Sequence, residues 1–286
     1  MPAARLSSGL LGSLELTLAN LRQAWPDRWP GLEVVLERCW QQLDIDEAAV
    51  APRTARLLSW SRQVARCVEL DGQRQAQDGA EPAYHSRLHI ADALVSMTHL
   101  LLSLRQQHST GAGVVHLEGM CLAIMAGHDF MHPGGSNAWP GQFEQMAIEA
   151  LHPLMRQVGL DASDQAILEQ CILWTDPLCV KSTHQSARQR PFSLEDLQWM
   201  TVLVQEADIL ASTLPQTQQS LTEALSREWR GSNPEAAAKL LLPNSRIMFL
   251  EHAALFSSPA AQGLGLNEVK QQQIQALRMT PKDSYL

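Results

Sequence analysis

The sequence predicts an all-α fold, a compact helical bundle with an N-terminal helical extension, and three observations carry that prediction. Apolar residues recur at three- and four-residue spacing over most of the 286 residues. No stretch alternates apolar and polar residues for long enough to make a strand. Two tyrosines and five phenylalanines stand against plentiful Leu, Ala, Gln and Met, a composition that favours helices over sheets.

The elements follow in order. Helical periodicity runs from Leu10 to about Leu43, interrupted at the Pro26 and Pro30 turn, and a second helix is predicted from Pro52 to Leu70. The polar, Gly-containing stretch Asp71 to Pro82 reads as a loop. The next helix runs from His85 to Gln106, and another from His116 to Ala126 stops where His132-Pro133-Gly134-Gly135 forbids continuation. Further helices are predicted at Gln142–Val158, Ala162–Trp174, Leu194–Leu214, Leu221–Trp229 and Arg246–Phe256, with a frayed tail from Met279 to Leu286.

Charge and cysteine usage narrow the function. With 22 Lys and Arg against 30 Asp and Glu, the formal charge is -8, which argues against the broad basic surface that nucleic-acid backbones require. No apolar run approaches the ~20 residues of a membrane span, so a cytoplasmic protein with no membrane partner is expected. Cys39, Cys67, Cys121, Cys171 and Cys179 are odd in number, scattered and without a CxxC pair. They are expected to behave as small buried hydrophobes.

Three clusters can carry chemistry. In Tyr84-His85-Ser86-Arg87-Leu88-His89, two histidines four apart share one face at the start of a helix. His99, further along, is expected to be an ordinary core histidine. In Gly127-His128-Asp129-Phe130-Met131-His132-Pro133-Gly134-Gly135-Ser136-Asn137, a helix ends against a turn that offers imidazole and carboxylate side by side. An aspartate there can bridge two cations, whereas a neutral imidazole cannot. In Val204-Gln205-Glu206-Ala207-Asp208-Ile209-Leu210, an acid sits inside an apolar helix. Asp208 is in register with apolar Val204 and Ala211 and is expected to face inward, either as a metal ligand or as a buried hydrogen-bonded carboxylate. Glu206 is expected on the solvated face.

Taken together, YHSRLHIAD (84–92), HDFMHPGGSN (128–137), Thr175-Asp176 and EADILAS (206–212) resemble the HD-domain superfamily of metal-dependent phosphohydrolases. The likeness is closer to the catalytic domain of class I cyclic-nucleotide phosphodiesterases. It implies a bundle of that type over residues 81–262, with 1–80 as an N-terminal helical region packed on the core or mediating a homodimer, and 263–286 as a C-terminal helix and tail. It implies that His89, His128, Asp129 and Asp208 ligate one divalent cation, zinc or iron. Asp129 also bridges to a second, magnesium or manganese. His85 is then the general acid, and His132 orients a hydroxide bridging the two metals.

The activity implied is hydrolysis of a 3′,5′-cyclic nucleotide, or a related small phosphodiester, to a 5′-monophosphate. The alternative is an HD-type phosphomonoesterase or nucleotidase. Thr175 and Asp176 are either a pair near the second cation or an ordinary helix-ending turn. Asn137 belongs to the same motif, and Glu144 is either an outer carboxylate or a solvated position. Two departures bear on substrate: Met131 stands where many members have aspartate, and Ser245 or Arg246, followed by Phe249, stands where the family carries its purine-clamping glutamine and phenylalanine.

Overall fold

In the computed structural model, which describes residues 3–107 and 114–279, every regular element is helical. The tail residues beyond Met279 lie outside the described residues. The chain opens with α1 (Ala3–Ala24), α2 (Leu32–Gln42) and α3 (Pro52–Gln77), followed by α4 (Arg87–Gln107) and α5 (Val114–Gly127). Then come α6 (Gln142–Val158), α7 (Ala162–Leu173), α8 (Pro177–Ala187) and α9 (Leu197–Thr213). The last part holds α10 (Gln218–Trp229), α11 (Pro234–Leu240), α12 (Pro243–Met248), a π-helical turn (Phe249–Ala253), α13 (Pro259–Gly263) and α14 (Leu266–Met279).

Three helices form the centre. Every residue is buried from His89 to Leu101 in α4, from Glu118 through α5 to His128, and from Trp199 to Ala207 in α9. A helix apolar all round belongs in a core. These three deliver the predicted ligands, because each carries its polar residues where it runs out of, or turns toward, the open side of the bundle.

The first three helices share this core. Leu14, Leu18, Trp40, Leu57 and Trp60 belong to one buried cluster with Leu94, Leu122 and Leu203, and α1, α2 and α3 pack against α4 and α5. Buried ion pairs fix their attachment. Arg22 grips Asp92 of α4 with two hydrogen bonds, 2.9 and 2.5 Å. Glu69 of α3 accepts from Trp29 Nε1, from Leu32 N and, at 2.6 Å, from Arg87 Nη1. Arg87 also binds Glu81. The guanidinium passes so close to α3 that a Cβ on Gly72 would lie 2.6 Å from its side chain. The start of α4, and with it His89, is thereby held against the N-terminal helices.

Several predicted boundaries move. The stretch read as a loop from Asp71 continues as helix to Gln77, since an exposed helical end needs no apolar residues. Helices α8 and α11 were not predicted; both begin at a proline after an Asp or Asn whose side chain caps the first turn. The Arg246–Phe256 helix is instead α12, starting at Pro243, and a π turn ending at Ala253. Cys39, Cys121 and Cys171 are buried and Cys67 and Cys179 partly so, all as free thiols. Among the described residues no helix is long and apolar enough to cross a membrane.

Candidate metal centre and its cleft

The centre is built where α4 begins, α5 ends and α9 passes. Tyr84, His85 and Ser86 form a turn that places His89 in the first turn of α4. Gly127 closes α5 between Leu151 and Trp60, whose atoms would lie 3.2 and 3.3 Å from a Cβ there. The missing side chain lets His128 and Asp129 emerge from the packed core. The chain then reverses through Phe130 and Met131, with Met131 left-handed (φ 57°). Asp208 reaches in from α9.

His89 Nε2 lies 3.1 Å from Asp129 Oδ2 and 3.1 Å from Asp208 Oδ1. His128 Nε2 lies 3.3 and 3.5 Å from the same two atoms and 3.3 Å from His89 Nε2. For metal–ligand bonds of about 2.0–2.2 Å, neighbouring donors should be roughly 2.8–3.6 Å apart for bond angles from 90° to tetrahedral. All five separations fall in that range. His128 Nδ1 donates to Met125 O at 2.9 Å, which leaves Nε2 bare for a cation. His89, His128 and Asp208 are thus close enough together to hold one, with Asp129 against both imidazoles.

Electrostatics agree with that fit. Burial opposes charge on His89, yet Asp129 and Asp208 outweigh it and raise the imidazole to about 9. His128 is raised well above its ordinary value against the same burial cost. Burial would likewise raise both aspartates, but the two imidazoles hold each below the usual carboxylate range. A nest of two carboxylates and two imidazoles draws positive charge, as protons or as a metal ion.

A second cluster stands beside the first. Glu228 of α10 accepts from His85 Nδ1 (2.6 Å), from the backbone N–H groups of Tyr84 and His85, and from Gly135 N (3.0 Å). One carboxylate so locks the Tyr84–His85 turn to the Gly-Gly loop. Burial works against its charge, but the His85 contact holds its pKa down to about 2. The His85 ring stacks on His132, centroids 3.8 Å apart. Gly134 N donates to His132 Nδ1 at 3.1 Å, and burial lowers His132 to about 4, so His132 is neutral with its proton on Nε2. His85, with Nδ1–H spent on Glu228, offers Nε2 alone. The stacked pair thus presents one fixed donor, His132 Nε2–H, beside the second ring nitrogen of His85. His85, His132 and Glu228 also lie close enough together to be a possible metal-ligating group. The sequence reading missed Glu228; it lies 143 residues beyond His85, and its contacts in the fold identify it.

Above both clusters opens a cleft of about 690 Å³. Its floor includes His85, Asp129, His132 and Asp208, and its walls are largely apolar, among them Trp139, Phe143, Leu178, Ile209, Trp229 and Phe249. Asn137, Glu144, Thr175 and Asp176 also line it, but they are joined mainly to each other and to backbone. Asp176 caps α8 at Leu178 N and accepts from Gly141 N. Thr175 Oγ1 donates to Ile172 O. Asn137 donates to Glu144 and accepts from Phe143 N. The turn-forming role of Thr175-Asp176 is thus present in the structure. Glu144 is half-buried rather than solvated, and burial raises its pKa.

Two residues sit otherwise than expected. Glu206, expected in solvent, is fully buried; α9 is enclosed on this side by the 257–263 segment, which periodicity within α9 cannot reveal. Arg246, expected near the substrate, donates to Ser212 O, Thr213 O and Gln273 Oε1, capping the end of α9, while Phe249 lines the cleft. His99 is the ordinary core histidine expected, buried and donating to Val95 O. Compared with known protein families and with curated proteins, the chain matches none.

Proposed function

We propose that the chain is a metal-dependent phosphodiesterase of HD type, acting on a 3′,5′-cyclic nucleotide or a related small phosphodiester. The observation that carries this reading is that His89 and His128 each stand within 3.1–3.5 Å of both Asp129 and Asp208, with the two carboxylates opening into a cleft that also presents His85 and His132. A pair of divalent cations, when bound, supplies an activated water at neutral pH and neutralises the phosphoryl oxygens.

The remaining work falls to side chains. His85 Nε2 delivers a proton to the ester oxygen as its bond to phosphorus breaks, and Glu228 on Nδ1 stabilises the charged imidazolium beforehand. His132 Nε2–H, fixed by Gly134, offers a hydrogen bond at the same point. The apolar walls exclude water from the organic part of the substrate.

One observation favours a second reading, a phosphomonoesterase. Arg246, in the place of the family's amide clamp, carries no acceptor, and the Asn137 amide is bonded to Glu144 and Phe143 N, so neither offers the free amide that reads a base. Elemental analysis of the purified protein, with a screen of cyclic and acyclic nucleotides in added Mn²⁺, tests both. The diesterase reading expects bound divalent metal and release of 5′-monophosphate from a cyclic substrate. Turnover of monoesters alone would shift the assignment to the second reading, and a protein that binds no divalent metal would end both.

A further inference from the structure

Beside the end of α9 lies a buried charge that the proposed reaction does not use. Arg246 is 9% exposed and stacks over the Phe249 ring at 5.3 Å. Its three hydrogen bonds all go to neutral acceptors, and its Nε is buried without a partner. Among the described residues no carboxylate pairs with it, and burial brings its pKa down to about 10. The carbonyls ending α9 offset part of that cost through the helix dipole, but a guanidinium ordinarily takes a planar anion on its fork.

Space for one is present. A cavity of about 90 Å³ is lined by Arg246 together with Ser245 and Thr222, and it shares Tyr84, Leu225, Leu240 and Phe249 with the main cleft. Arg246 binds the carbonyl of Ser212, four residues beyond Asp208, so the two sites are separated by about 6 Å along α9.

We infer that this side cavity is an anion subsite of the cleft. Arg246 supplies its charge and Ser245 and Thr222 its hydroxyl donors, and the occupant is a carboxylate or phosphoryl group at the end of the substrate remote from the scissile ester. The inference rests on the phosphoester-hydrolase reading and narrows it to the small phosphodiester that is not a simple 3′,5′-cyclic nucleotide: the substrate carries a second negative group a few bonds from the first. A guanidinium that merely caps α9 predicts no dependence on such a group.

The test uses metal-loaded full-length protein and a matched pair of p-nitrophenyl phosphodiesters whose second ester is a short chain ending in a carboxylate or in its neutral amide. Wild type should prefer the carboxylate in kcat/KM by about tenfold or more, the size of one charge-assisted contact. Arg246→Met should bring that ratio near one. Because this change also removes the cap, Ser245→Leu is the companion variant, filling the cavity with the guanidinium intact, and it should abolish the preference too. Calorimetric binding of inorganic sulfate to the same three proteins gives a readout independent of turnover. If no diester is hydrolysed but sulfate binding is lost in both variants, the hydrolase reading fails while the subsite stands. No wild-type preference, or a preference that survives Ser245→Leu, overturns the subsite, as does sulfate binding indifferent to both variants where no diester is turned over.

Discussion

Asp208 and Glu206 stand two residues apart on α9, about 200° around its axis, and their surroundings treat the same functional group in opposite ways. Asp208 opens to the cleft, its side chain 24% exposed, and meets two imidazoles. They hold its carboxyl below the usual range although burial opposes this. Glu206 faces the opposite side with no exposure. It accepts from Ser257 N (2.5 Å), Ser258 N (2.8 Å) and the Ser258 hydroxyl, binding the start of α13 to α9. Burial outweighs those three donors and lifts it to about 7. A carboxylate among groups that can carry positive charge remains an anion and is available to a metal. One that meets only N–H and O–H dipoles becomes a structural tie whose proton is labile near neutrality.

The largest effects should come from breaking the cleft side. Asp129→Ala is expected to remove turnover by more than the about 10²–10⁴-fold typical of one lost acid catalyst, with both cations depleted. Asp208→Ala should chiefly deplete the ion held with His89 and His128. Metal analysis and kinetics on the same preparations check this. An Asp129→Ala protein that kept its metal and its rate would remove the proposed bridging role.

What could be read in the sequence follows the same division. His128-Asp129 before a Pro-Gly turn was legible because such a turn has no local use for two histidines and an aspartate. The helical class was legible from periodicity. Glu206 was misassigned because α9 is apolar on nearly every side, so register within the helix cannot say which polar residue faces water. Glu228 was invisible because its partners, Tyr84, His85 and Gly135, are distant in sequence and α10 otherwise reads as an amphipathic surface helix. Arg246 was placed near the substrate by alignment, whereas packing of α12 on the end of α9 decides what its guanidinium meets.

Next in size is the proton donor. A departing alkoxide needs a proton, whereas p-nitrophenolate does not. His85→Ala should therefore lose about 10²–10⁴-fold on an alkyl phosphodiester and much less on a p-nitrophenyl one, with metal content unchanged. Glu228→Gln, which weakens support for the imidazolium and places an amide among N–H donors, should show the same asymmetry at smaller size. Equal losses on both esters in metal-replete His85→Ala would make His85 a positioning residue and turn attention to His132.

The smallest effect lies on the opposite side of α9 and concerns stability. The pKa of Glu206 when folded, about 7, lies above its ordinary 4.5, so the folded chain keeps a proton that the unfolded chain gives up across that interval. The stability this proton supports is whole below about 4.5 and is lost as pH rises through about 7, a change on the order of 3 kcal/mol. Glu206→Gln stays neutral throughout, and the Ser258 hydroxyl can reverse its bond to accept from the new amide. Urea unfolding of metal-loaded wild type and Glu206→Gln from pH 4.5 to 8.5 should show near-equal stability at the acid end and a growing advantage for the variant toward neutral pH. Bound metal and turnover should be those of wild type, since the change lies on the side of α9 away from the cleft. A stability difference that does not grow with pH would mean that Glu206 is ionised in the folded chain. Loss of metal from the variant would mean that the two sides of α9 are not independent.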